Sequence, residues 1–157
     1  MENNVICVKW GTKFGPEYVN SLYNMVEKNL TIPHRFVCFT DNAEGINPNV
    51  EIRPLPELHD EGLPEKAWKK LGLFTSPLAD LQGRALFLDL DIVIRDNIDD
   101  FFKVDGKFII IKDWDFEKDI IGNSSVFRFE VNQHPEVIEN FYKEGKDIRK
   151  RYKNEQA

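Results

Sequence analysis

The sequence has no long apolar run, few cysteines and no excess of basic residues, and each absence excludes a class of protein. No stretch of 18 apolar residues occurs, so no membrane-spanning segment is expected. The net charge is −6, whereas a nucleic-acid-binding domain usually carries a basic face. The start, Met1-Glu-Asn-Asn, lacks the basic residues of a signal peptide, so we expect a cytoplasmic protein.

The two cysteines are too few for a disulfide framework. Cys7 and Cys38 each lie inside an apolar, strand-like run, and neither has a Cys or His neighbour at a metal-ligand spacing. We therefore expect two buried, reduced thiols and no cysteine-based metal site.

The apolar segments that are present predict an α/β fold. Strands are expected over residues 5–10, 35–40, 50–53, 85–88, 108–111 and 126–129, with a further apolar run over 92–94. Helices are expected from Pro16, with Tyr18 on the apolar face, over 65–74, and from 134 to about 142. Continuous apolar strands indicate a mostly parallel central sheet with helices on both faces. A single domain over 1–157 is expected, with a charged helical segment from about residue 145.

The segment most informative about chemistry is Leu86-Phe-Leu-Asp-Leu-Asp-Ile-Val-Ile94. It places Asp89 and Asp91 two residues apart at the end of an apolar strand, so in an extended chain both carboxylates point to the same side. Two adjacent anions repel each other unless a cation lies between them, and a hard divalent cation prefers oxygen ligands shared with substrate phosphates. Ligands of open α/β sheets also bind beyond the carboxyl ends of the strands.

The surrounding residues resemble a known family. Arg84-Ala-Leu-Phe-Leu-Asp-Leu-Asp-Ile-Val-Ile-Arg-Asp96 resembles the D-x-D segment of GT-A-fold glycosyltransferases, especially the glycogenin-like and lipopolysaccharide galactosyltransferase-like group. Trp68-Lys-Lys-Leu-Gly-Leu-Phe74 resembles the basic helix before that strand, and Gly122-Asn-Ser-Ser-Val-Phe-Arg128 resembles an Asn-containing segment after it. The resemblance spans roughly residues 5 to 142. It implies a Rossmann-like nucleotide-diphospho-sugar transferase that transfers sugar from a nucleotide-diphosphate sugar, most simply a UDP-sugar, to an unknown acceptor.

The resemblance also implies roles for individual residues. Asp89 and Asp91 would hold Mn²⁺ or Mg²⁺, which neutralises the diphosphate as a leaving group. The residues assigned to the nucleotide are Val8, Lys9, Trp10, Gly11, Thr12, Asp41, Lys70 and Leu90. Phe14 and Tyr18 are alternatives to Trp10 for stacking, and Lys69 is the alternative to Lys70 for the diphosphate. Asp113 and Asn123 would contact the donor sugar, and no catalytic residue is assigned.

Other interpretations stay open at this point. Trp10 and Tyr18 are equally compatible with core positions, and Asp41 with an ordinary turn. A module that keeps the fold and binds nucleotide sugar without turnover is one alternative function. A haloacid-dehalogenase-type phosphatase is another, since its signature is also an apolar strand followed by D-x-D, although that motif normally lies near the N-terminus.

The C-terminal part departs from the family pattern. Related enzymes continue further and commonly supply a third metal ligand, a His, from their later part, whereas no His follows His134 here. We therefore expect donor binding with poor transfer by this chain alone. Beyond Gly145 the apolar residues are too few to offset the ordering cost of roughly 1–2 kcal/mol per residue. The segment is expected to be weakly attached, extended from the body, or held by a second copy in a homo-oligomer.

Overall fold

The computed structural model describes residues 1–58, 69–115 and 120–151, and the fold is built from ten elements within them. The strands are β1 (Asn3–Lys9), β2 (Arg35–Thr40), β3 (Glu51–Arg53), β4 (Arg84–Leu88), β5 (Phe108–Lys112) and β6 (Gly122–Glu130). The α-helices are α1 (Pro16–Asn29), α2 (Asp100–Lys103) and α3 (Pro135–Arg151), and a 3-10 helix covers Lys69–Phe74.

The six strands form one sheet in the order β3-β2-β1-β4-β6-β5. Strands β1 to β4 are mutually parallel, whereas β6 runs antiparallel to β4 and to β5. The predicted mostly parallel sheet is therefore confirmed, with one antiparallel strand inserted near one edge. The carboxyl ends of β1, β4 and β5 and the amino end of β6 consequently lie at the same edge of the sheet.

Each face of the sheet has its own apolar core, which explains the unbroken apolar strands. On one face, α1 buries Val19, Leu22 and Val26 against alternate strand residues such as Val5 and Leu86. On the other face, Leu73 of the 3-10 helix and the loop residues Leu78 and Leu81 cover the remaining strand residues. Helix α3 packs against the 3-10 helix and buries Phe141. Both faces of the central strands β1, β2 and β4 are thus removed from water, whereas no residue of the edge strand β5 is buried.

The prediction of two buried thiols is confirmed. Cys7 and Cys38 are free, buried and opposite each other on β1 and β2. The side-chain hydrogen bond with Cys38, together with burial, raises the pKa of the Cys7 thiol, which keeps it protonated.

Several predicted elements differ from those observed. The apolar run over 92–94 forms no regular element, because the chain turns at Leu90–Asp91, and the short helix α2 was not predicted. Of the predicted helix over 65–74, the described part is a 3-10 helix from Lys69, and Trp68 lies outside the described residues. Strand β6 begins four residues earlier than predicted, because polar residues of its amino end still pair with β5. Tyr18 was predicted on the apolar face of α1 but is exposed, and Val19 takes that position.

Candidate functional site

A cleft of about 560 Å³ opens at the edge of the sheet where β1 and β4 end side by side. The loop after β1 forms one wall and the turn after β4 forms the other, with the 3-10 helix contributing Lys70. The residues lining the cleft are Val8, Trp10, Gly11, Thr12, Lys13, Phe14, Lys70, Asp89, Leu90 and Asp91. The parallel arrangement of β1 and β4 therefore brings together two segments that are about 80 residues apart in sequence.

The two acidic side chains of the motif lie in this cleft but in different environments. The backbone N–H of Asp89 donates to the Ser125 carbonyl at 2.9 Å, which continues the ladder between β4 and β6 by one residue. The Asp89 side chain is 24% exposed, Leu90 is buried and Asp91 is exposed. The expectation that an extended chain aligns the two carboxylates was wrong, since the chain turns after Asp89. The turn nevertheless leaves both residues lining the same cleft.

Lys70 makes close charged contacts in the cleft. Its Nζ lies 2.9 Å from Oδ1 and 3.2 Å from Oδ2 of Asp89, and 3.3 Å from the Ser124 carbonyl oxygen. The ammonium group is also 5.1 Å from the centre of the Phe87 ring, within range of a cation–π interaction. Lys69 and Lys70 were both considered from the sequence, and Lys70 is the one that lines the described cleft wall. Ser124 was not predicted, although it lies in the segment that resembled the family.

The loop after β1 carries most of the predicted nucleotide residues. Val8, Trp10, Gly11 and Thr12 line the cleft, whereas Lys9 is buried in β1 and is not among the described residues of the cleft wall. Gly11 has φ +61°, a conformation that favours glycine.

Two side chains hold or extend this loop. The Oδ2 of Asp41, at the end of β2, accepts a hydrogen bond from the Gly11 N–H at 3.3 Å. Asp41 therefore acts on the loop and does not itself line the described cleft. Lys13 was not predicted, and its Nζ lies 5.1 Å from the centre of the Phe14 ring. A second cation therefore stands at the mouth of the cleft.

The two residues predicted at the donor sugar lie together beside the cleft. Asn123 Nδ2 donates to Asp113 Oδ2 at 3.5 Å, and Asn123 Oδ1 accepts from the Ser125 N–H at 2.9 Å. The Asp113 N–H donates to the Ile121 carbonyl at 2.8 Å, which joins the end of β5 to the start of β6. Ser125 in turn bonds to Asp89, so this pair is one strand further along the edge and outside the described cleft wall.

The donor set fits a hard divalent cation that shares ligands with a phosphate. Within the described ranges, no group of three or more His, Cys, Asp and Glu residues is placed to hold a metal ion. Asp89 and Asp91 offer carboxylate oxygens to such an ion, and Mg²⁺ commonly binds through one or two carboxylates plus substrate phosphates. The position of the Lys70 ammonium shows that a cation is stabilised beside Asp89.

Comparison with known proteins identifies the fold. No family model matches the sequence, and no curated protein matches it. Among solved structures, the galactosyltransferase LgtC in complex with donor and acceptor sugar analogues superposes with a TM-score of 0.69 at 16% identity. The chain has a GT-A-like glycosyltransferase fold. A second structure, the LgtC active-site mutant Q189E, gives a TM-score of 0.68 at 16% identity.

The GT-A-like fold extends over almost the whole chain but over less of its neighbours. The superpositions cover 96% and 98% of this chain, and 65% of the neighbour's chain in both cases. No helix in the described part of the chain is long and apolar enough to cross a membrane.

Proposed function

We propose that this chain binds a nucleoside-diphosphate sugar, most simply a UDP-sugar, together with Mn²⁺ or Mg²⁺, and serves as the donor-binding domain of a glycosyltransferase. The observation that carries the proposal is the convergence of Asp89, Asp91 and Lys70 with the loop after β1 in one cleft of a GT-A-like sheet. Anionic carboxylates and a lysine in the same cleft suit a ligand that carries both a divalent cation and phosphates.

Each part of the cleft suits one part of such a donor. The base and ribose lie along Trp10, Gly11 and Thr12, where the backbone of Gly11 is held by Asp41. The diphosphate would lie between Lys70 and the two carboxylates, which would hold the cation. Asp113 and Asn123, one strand further along the edge, then face the sugar end of the donor.

The proposed reaction is transfer of the sugar to an acceptor hydroxyl. The bond between the anomeric carbon and the diphosphate oxygen breaks, the nucleoside diphosphate leaves with the electron pair, and the acceptor oxygen bonds to that carbon while its proton passes to the solvent. A bound divalent cation supplies charge neutralisation of the leaving diphosphate. Lys70 adds a positive charge to the same group, and Asp41 keeps the nucleotide loop in place.

Titration calorimetry with UDP tests the metal-dependent site. We expect UDP to bind more tightly with Mn²⁺ than with EDTA, because the ion links the carboxylates to the diphosphate. Asp91→Asn should abolish that difference by removing a charged ligand. Asp100→Asn is the matched control, since Asp100 is an exposed acid of α2 at the other end of β4. Equal UDP affinity of the unaltered protein with and without metal would contradict the proposal.

A second candidate function is nucleotide-sugar binding without turnover. It is favoured by the small ligand set, because the described residues provide two grouped carboxylates and no third side-chain ligand. Incubation of the chain with UDP-sugars, Mn²⁺ and a panel of glycoside acceptors separates the two candidates. Release of UDP that depends on an added acceptor supports the transferase, whereas tight binding without release supports the binding module.

A further inference from the structure

Lys70 and Asp89 form a charge pair that occupies the place where a metal ion would bind. Both Asp89 carboxylate oxygens lie within 3.2 Å of the Lys70 Nζ. The two side chains are 11% and 24% exposed, so water screens the pair less than it screens a surface pair.

Binding of a divalent cation to Asp89 is opposed while Lys70 keeps this position. Mg²⁺ approaches a carboxylate oxygen to roughly 2.1 Å, and it would then lie within a few ångströms of a second positive charge. The repulsion is removed only if the ammonium group moves away from the carboxylate. Its flexible four-carbon side chain allows that movement.

The surroundings of Lys70 keep it near the site after such a movement. Its Nζ also lies 3.3 Å from the Ser124 carbonyl oxygen and 5.1 Å from the centre of the Phe87 ring, and neither group needs to be released together with Asp89. A diphosphate bound in the cleft would offer a new anionic partner within reach of the same side chain. The same ammonium group can therefore contact Asp89 in the free protein and a phosphate when a diphosphate is bound.

We propose that Lys70 is a positioning residue that couples the two binding events: it neutralises Asp89 in the free protein, opposes binding of metal alone, and transfers to the diphosphate when metal and nucleotide bind together. The opposition to free metal depends on the Lys70–Asp89 contact and on metal binding at Asp89, and it needs no nucleotide. The transfer to the diphosphate rests on the proposed function.

Binding of Mn²⁺ alone tests the first half of the proposal without nucleotide or activity. Free Mn²⁺ is measured by its electron paramagnetic resonance signal during titration of the unaltered protein, Lys70→Gln, Lys70→Arg and Lys103→Gln. Lys70→Gln should bind Mn²⁺ about fivefold more tightly, because the substitution removes the positive charge beside the Asp89 carboxylate. Lys70→Arg keeps the charge and should bind Mn²⁺ no more tightly than the unaltered protein.

Lys103→Gln controls for the change in total charge. Lys103 pairs with acids of α2, whose residue Phe102 bonds to Arg84 at the opposite end of β4. Its loss should leave Mn²⁺ affinity unchanged. Should Lys70→Gln prove unstable in thermal unfolding, Lys70→Met, which keeps the length of the side chain, replaces it.

The outcomes separate this proposal from the proposed function. The opposition to free metal is overturned if Lys70→Gln binds Mn²⁺ no more tightly than the unaltered protein. It is also overturned if Lys103→Gln raises the Mn²⁺ affinity as much as Lys70→Gln does. Addition of UDP should raise the Mn²⁺ affinity of Lys70→Gln by a smaller factor than that of the unaltered protein. An equal factor in the two proteins overturns the coupling. Failure of the unaltered protein to bind UDP would instead contradict the proposed function while leaving the Mn²⁺ comparison valid.

Discussion

At the scale of single residues, the two carboxylates of the D-x-D segment have the same chemistry but different surroundings. Asp89 remains attached to the sheet through Ser125 and contacts Lys70, whereas Asp91 lies in the following turn and is exposed. The Asp91 carboxylate is therefore exposed to a ligand that enters the cleft. The Asp89 carboxylate already contacts Lys70, and a ligand that binds it must replace that contact.

Another residue that decides the local structure is Gly83, immediately before β4. It has φ +77°, and a Cβ atom at this position would lie 2.1 Å from the Glu2 carbonyl oxygen. That oxygen accepts a hydrogen bond from the Arg84 N–H at 2.9 Å, and the Gly83 carbonyl accepts one from the Val131 N–H at 2.9 Å. The backbone is therefore fixed on both sides and cannot move away from a larger residue.

We predict that Gly83→Ala lowers the free energy of unfolding by about 3 kcal/mol, since a left-handed conformation and a backbone clash act together. Gly11→Ala is the matched control, because Gly11 also has positive φ but nothing within 4 Å of the added atom. Gly11→Ala should lower the free energy of unfolding by about 1 kcal/mol, because only the left-handed conformation is unfavourable there. Urea unfolding measures both, and equal losses would show that the clash at Gly83 is relieved.

At the scale of elements, α3 is one continuous helix with two unequal halves. Its first part was predicted correctly, with Phe141 buried and Val137 and Ile138 half-buried, although Tyr142 is exposed. The helix continues to Arg151, and beyond the buried Gly145 its described apolar content is the half-buried Ile148. Packing therefore supports the first half far more than the second.

Hydrogen exchange should reveal this difference. We expect backbone amides of residues 146–151 to exchange much faster than those of 139–145, because local opening of the second half exposes little apolar surface. Exchange measured by mass spectrometry at two protein concentrations provides the control. Slow exchange of 146–151 that appears only at the higher concentration would indicate that a second copy holds the segment, and slow exchange at both would contradict the prediction.

At the scale of the whole molecule, charged groups concentrate at the two opposite edges of the sheet. The cleft lies at the carboxyl edge. An ion-pair network lies at the amino edge, near the starts of β1, β2 and β3 and the loop that precedes β4. Its members are Glu2, Arg35, Glu51, Arg53 and Asp80. Hydrogen bonds from Arg53 and Arg35 lower the pKa of Asp80, and a hydrogen bond from Arg35 lowers that of Glu51.

The lowered pKa values determine how stability depends on pH. A carboxyl group whose pKa is lower in the folded state stabilises the fold above its unfolded pKa of about 4, and this contribution is lost as pH falls through the folded pKa. We predict that Asp80→Asn lowers the melting temperature at pH 7, with a difference that shrinks below about pH 4. Asp147→Asn, which removes an exposed acid of α3, should change it little at either pH. Thermal unfolding from pH 2.5 to 7 measures this, and a difference independent of pH would contradict the assignment.

Much of the fold is encoded in short stretches of sequence. Residues 35–40 form the strand predicted for them, because β-branched and aromatic residues fit a strand buried on both faces. Strand β4 was predicted to within one residue from its unbroken apolar run. The position of Asp89 at the end of β4 follows from the same pattern. The 3-10 helix and α2 were harder to predict, since short helices depend on the packing of a few residues such as Leu73 and Phe102.

The sequence by itself determined the strands, the buried thiols and the location of the acidic pair, because each depends on neighbours within a few residues. Only the tertiary structure decided that Lys70 contacts Asp89, that Asp41 holds the Gly11 loop, and that Ser124 contacts Lys70. These contacts join residues 19, 30 and 54 positions apart. They depend on the order of strands in the sheet, which places β4 between β1 and β6. Strand order is set by the packing of whole elements, and no local pattern of residues encodes it.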